Sequence, residues 1–123
     1  MPFSITEEPG HFFVKLFGVL TARDLGDFGA AAWELEKAQA TVLPRVTDLS
    51  EVENLTVDFS AVWQLAENRR SRTFPNSFKS AIVAPKDHLL GYARMFQTLN
   101  DHPQITIRIF RDMASAREWI LEK

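Results

Sequence analysis

The chain has 123 residues, 46% of them hydrophobic and 24% charged, a balance that suits one globular domain over 1–123 and excludes a disordered chain. It has no cysteine, which excludes disulfide frameworks, thiolate metal sites and cysteine nucleophiles; its formal net charge of −2 draws it onto neither nucleic acid nor anionic lipid. The opening Met1-Pro2-Phe3-Ser4-Ile5-Thr6-Glu7-Glu8 places acids where a signal peptide needs a basic region, and no apolar run nears the ~20 residues of a membrane span, so the cytoplasm is the expected location.

Ser4 to Thr6 reads as a short strand closed by the turn signal Glu8-Pro9-Gly10, and His11 to Leu20, rich in Phe and Val, as its hairpin partner. Thr21 is placed to cap a helix, with the acid Asp24 three residues on. Leu25, Phe28, Ala31, Ala32, Leu35 and Ala38 then share one side of a 3.6-residue wheel, with Trp33 nearly opposite. The next strand is predicted from Arg45, after Pro44, to Leu49. A helix is predicted over 54–67, with Val57, Phe59, Val62, Leu65 and Ala66 as its apolar arc.

A polar connection through Arg69, Arg70 and Arg72 leads to a strand over 79–84, and Asp87 is the expected cap of the following helix. Leu89, Tyr92, Ala93, Phe96 and Leu99 make that helix's apolar face, which ends near Asn100-Asp101. Ile105 to Phe110 alternates as a strand does, and Asp112 can cap a last helix using Met113, Ala116 and Ile120. Strands alternating with helices predict an α/β fold, with a mixed, mostly parallel sheet of about five strands, an N-terminal hairpin and about four covering helices.

Two stretches resemble the STAS domain superfamily, in its SpoIIAA-like branch. One is Val46-Thr47-Asp48-Leu49-Ser50-Glu51-Val52 followed by Asp58-Phe59-Ser60-Ala61, similar to the family's strand ending in Asp-Leu-Ser and to the Asp-Ser-Ser-Gly that opens its next helix. The other comprises Ala81-Ile82-Val83-Ala84-Pro85, Gly91-Tyr92-Ala93-Arg94-Met95-Phe96, Ile109-Phe110-Arg111-Asp112 and Glu118-Trp119-Ile120. The resemblance implies a STAS-like fold and a non-enzymatic module that acts through a protein partner, a homodimer being one form of that contact. In STAS domains the serine before the glycine is phosphorylated by a partner kinase, which switches that binding off; by position this is Ser60. Phe59 replaces the first serine and Ala61 the glycine, so the switch position is degenerate.

On the wheel Ser60 lies outside the apolar arc beside Trp63 and Glu67, and a phosphate there would sit in the first helical turn, where free N–H groups favour negative charge. Asp58 and Glu67 would oppose it. Asp58 and Trp63, joined by Trp33 if their helices are neighbours, are the candidate partner contacts. Arg69, Arg70 and Arg72 are the densest basic group and could grip an anion or an acidic partner, although such charges near a helix end more often satisfy its last carbonyls and stay solvated. His11, His88 and His102 lack ligand spacing and the acids are scattered, so neither a catalytic centre nor a metal or cofactor is expected. The alternative function is a carrier or sensor of a small apolar, lipid-like ligand, since some relatives of this branch resemble lipid-carrier domains. Phe12, Phe13, Phe17, Phe74, Phe78 and Phe96 could line its cavity, or simply fill a core.

Overall fold

The structure, a computed structural model, describes residues 2–122; residues 1 and 123, the ends of the predicted domain, lie outside it. β1 (Phe3–Glu8) and β2 (His11–Thr21) form an antiparallel hairpin whose turn places Gly10 at φ +80°. α1 (Ala22–Lys37) follows directly: the Thr21 hydroxyl accepts from Asp24 N–H at 3.2 Å while the Asp24 carboxylate accepts from Thr21 N–H at 2.9 Å, so each satisfies a donor the helix start leaves open. β3 (Arg45–Thr56), α2 (Phe59–Arg70), β4 (Phe78–Val83), α3 (Asp87–Leu99), β5 (Ile105–Phe110) and α4 (Met113–Leu121) complete the order. The sheet runs β1-β2-β3-β4-β5 and is parallel everywhere except β1–β2.

Strand alternation divides the core in two. Val14, Leu16, Leu20, Leu49 and Ile82 face α1 and α3, which pack on the sheet with α2 held between them. Val46, Ala81 and Val83 point to the opposite face, where α4 covers them with Ala116, Trp119 and Ile120. Asp112 caps α4 as expected, accepting from Ser115 N–H at 2.7 Å; this bond, and a second from the Ser115 hydroxyl, hold its carboxyl below the ordinary range. At the other end of α4, Lys79 Nζ donates to the carbonyls of Trp119 (2.8 Å) and Glu122 (3.0 Å).

Two predicted boundaries are corrected. The helix expected from residue 54 starts at Phe59, because β3 runs on through Glu51–Thr56 paired to β2 alone. Val52, Thr56 and Val57 are β-branched and suit extended backbone, whereas Asp58 is a strong cap and accepts from Ala61 N–H at 3.1 Å. The open edge of this extension is tied from α3's start: Lys86 Nζ donates to Val52 O (2.8 Å) and His88 Nε2 lies 2.9 Å from Glu53 O. In addition, α3 is capped at Lys86 without a side-chain bond. The Asp87 carboxylate is instead inside the first turn, paired with Arg111 at 2.6 Å.

The β2–β3 ladder shifts register on both sides of Gly18, which sits at φ +79° with open space where a Cβ would stand. Gly18→Ala therefore incurs only backbone strain, and a loss of about 1 kcal/mol in urea unfolding is expected. An unchanged midpoint would show that the bulge relaxes without glycine.

Candidate functional site

The apolar stripe of α1 continues past Ala32 onto Glu36, which is 2% exposed. Its carboxylate is held by two arginines from separate elements. Arg69, in the last turn of α2, donates Nη1 to Oε1 and Nη2 to Oε2, each at 2.5 Å, while Arg45, the first residue of β3, donates Nη2 to Oε2. Both arginines are buried, and their guanidinium planes lie over aromatic rings, Arg45 over Phe78 at 5.9 Å and Arg69 over Phe74 at 5.4 Å. Burial pushes the Glu36 carboxyl up, but the Arg69 hydrogen bond and the two positive charges outweigh it and leave it below the ordinary glutamate value. Burial and then the like charge of Arg69 lower Arg45 to about 10, with Glu36 only partly offsetting them.

Beside this cluster lies a cavity of about 110 Å³ between the sheet and the three helices on its face. α2 forms its roof through Val62, Leu65 and Arg69, while Phe28 and Ala32 of α1 and Phe96 of α3 contribute walls. The floor is Leu16 and Leu20 of β2, Leu49 of β3 and Ile82 of β4. Polar residues collect at one end: Arg45, its register partner Ser80 on β4, Thr47 two residues along, Arg69, and Asn100, the C-terminal cap of α3. Asn100 is 4% exposed and its Oδ1 has no hydrogen-bond partner.

Of the six phenylalanines offered as cavity lining, only Phe96 lines it. Phe74 and Phe78 stack edge-on at 5.1 Å in a separate cluster with Val42 and Ile105, Phe12 is buried on β2, Phe13 packs on the α4 face, and Phe17 is exposed.

Asp58, Ser60 and Trp63 are exposed together on the outer side of α2's first two turns, and Phe59 joins them at 58% exposure instead of belonging to the apolar arc. Trp33 is elsewhere. It lies level with Asn68 and Arg72 in the groove between α1 and α2, a turn or more beyond Trp63. The segment after α2 folds back over it, with the Arg72 guanidinium 4.5 Å above its ring and Phe74 edge-on at 6.0 Å, so it does not stand free.

The three arginines likewise separate. Arg69 turns inward, Arg70 pairs with Glu67 on the surface, and Arg72 stacks on Trp33; they form no common basic face. His102 is held in one tautomer, Nε2 to Arg72 O (2.6 Å) and Nδ1 accepting from Gln104 N–H (2.9 Å), tying the segment after α2 to the start of β5. Among the described residues no group of three or more His, Cys, Asp or Glu could hold a metal, and no helix is long and apolar enough to cross a membrane.

No family model matches the chain, and no curated protein does. Among solved structures it is similar to an uncharacterized DUF3478-family protein with a SpoIIAA-like fold, from Shewanella loihica PV-4. The identity is 18%, the TM-score 0.57, and the match covers 96% of this chain and 91% of that one. The five-stranded mixed sheet with its opening hairpin and four helices is thus the SpoIIAA-like fold, which is the STAS fold.

The buried cluster makes stability pH-dependent with a defined sign. The folded-state value of Glu36 lies below its unfolded one, so its contribution is complete above about pH 4.5 and is lost as pH falls through the folded value. Glu36→Gln leaves two buried guanidinium groups without a counter-charge and is expected to cost about 3 kcal/mol at pH 7. Its urea-derived stability should also fall less steeply between pH 5 and pH 3 (roughly the carboxylate range) than that of the wild type. Equal acid slopes would remove Glu36 from this role.

Proposed function

We propose that this chain is a non-enzymatic STAS-like module that binds a small, mainly apolar ligand in the cavity beneath α2. The observation that carries this reading is the cavity itself, walled by Leu, Ile and Phe side chains from three helices and four strands, yet supplied with a few polar groups at one end. Sites for small molecules have that composition, apolar walls with a small number of placed polar groups. α2 packs mainly on α1 and α3, so it is the wall through which an occupant would be felt.

The interaction role has its own support in the exposed Phe59 and Trp63, with Ser60 between them on the outside of the same helix. Large aromatics are the residues that most often anchor protein contacts. The two readings combine as a sensor: the inner side of α2 meets the ligand and its outer side meets a partner protein. Ser60 is accessible for modification, and the Asp58 carboxylate within the same turn would act against an added phosphate.

Titration with five-carbon probes, apolar and amphipathic, followed by NMR of the cavity methyl groups should show saturable binding to the wild type. Ala93→Leu, which adds methylenes at a cavity-lining position of α3, should abolish it while retaining the far-ultraviolet circular dichroism of the fold. No saturable uptake by the wild type would end the ligand reading. For the outer face, Phe59→Ser with Trp63→Ser should change unfolding free energy by no more than about 0.5 kcal/mol. The pair should also abolish any self-association measured by sedimentation; an unaltered dimer in the variant would move the contact surface off α2.

A further inference from the structure

We propose that the cavity takes an amphipathic monoanion, a carboxylate on a short apolar tail, with its head group at Arg45, Arg69 and Asn100. This rests on the cavity being a ligand site and narrows that reading to one chemical class.

Charge balance is the first support. Glu36 supplies one negative charge to two buried guanidinium groups, and both its oxygens are already engaged, Oε1 by Arg69 and Oε2 by Arg69 and Arg45. A buried charge left without its own counter-charge is costly, and Arg45 bears that cost most directly. Among the described residues Arg45 donates one hydrogen bond, to Glu36, out of the five donors a guanidinium carries. A ligand carboxylate would make the count two against two and accept from the unused donors.

The second support is independent of charge. Asn100 lines the same end of the cavity, is almost wholly buried, and has its Oδ1 without a partner. Its oxygen and nitrogen exchange places by a simple flip, so the amide can turn N–H toward an anion. Thr47 and Ser80 add hydroxyls on the adjoining strand positions.

Size and charge restrict the class further. A cavity of about 150 Å³ accepts benzene, so about 110 Å³ suits a tail of about four carbons. A phosphate monoester carries nearly two negative charges at neutral pH and would overcompensate the single surplus.

The test is an NMR titration of the full chain with pentanoate, 1-pentanol and acetate in parallel, at fixed ionic strength. Pentanoate should bind saturably, shifting the Asn100 side-chain amide and cavity methyl groups, about tenfold or more tighter than pentanol. Acetate, which lacks the tail, should bind more weakly than pentanoate. Arg45→Met should bring pentanoate down to the affinity of pentanol and leave pentanol unchanged. Should that variant fail to fold, Asn100→Ala provides the same comparison with a smaller loss.

Equal binding of pentanol and pentanoate would overturn the anion assignment while leaving an apolar site. Acetate equal to pentanoate would reduce the site to a surface anion contact and overturn the proposal. No binding by any of the three would overturn the ligand site itself.

Discussion

The Glu36 carboxylate is the point at which three separate parts of the chain are made to agree. It fixes the last turn of α1, while its partners fix the start of β3 and the end of α2, and each of these positions is buried. A single carboxylate that must meet two guanidinium groups allows little sliding of any one element against the others. Burial costs of this kind seldom give a net gain over well-packed apolar residues, so the cluster is better understood as a geometric constraint than as a source of stability. Its consequence is concrete: α2 is pinned at its C-terminal end and joined to the core elsewhere mostly through side chains of α1 and α3.

That arrangement explains why there is room beneath α2. The helix is drawn close to α1, so close that a Cβ on Gly29 would stand 2.9 Å from Leu65 Cδ1. The approach is set by the helix pair, and the sheet below is met across a gap that the surrounding side chains do not fill. On the other face α4 sits directly on β4, with Trp119 packed under Lys79 and against Phe110. The same sheet therefore carries one layer whose helix lies on the strands and one layer with space in it, and the difference lies in whether the covering helix touches the strands or its neighbouring helices.

Most of the architecture was legible because its signals are local. The Thr21–Asp24 box, the Asp112 cap, the alternation of 105–110 and the apolar stripes of α1 and α3 depend on residues within a few positions of each other. What escaped depends on distance. Glu36 lies eleven positions beyond Leu25 and Arg69 seven beyond Val62, so both continue the buried phase of their helices; that phase was the signal available for finding them. A charged residue on such a stripe is easily taken for its end. That an added element covers Trp33 is a reading the sequence allows, but which one was not legible, because Arg72 and Phe74 reach it only after a chain reversal. The run of 51–56 as strand was hidden by apolar spacing that serves a helix wheel as well as it serves a twisted two-stranded ladder.

The two sides of α2 have different physical characters, and this gives the fold a way to couple them. Its N-terminal half presents Phe59, Ser60 and Trp63 outward and is held by the Asp58 cap and the buried Val62, while its C-terminal half is tied through Arg69 to the buried cluster. Anything that alters the electrostatic balance around Arg69, or the filling beneath Leu65 and Val62, acts on the tied end and must be accommodated along the helix. The buried arginine pair is accounted for by the register it imposes, and the two exposed aromatics by the partner contact proposed for them. Their meeting on one helix is what the sensor proposed above requires, since a ligand shifts an outer surface only if it contacts two states of the same element differently.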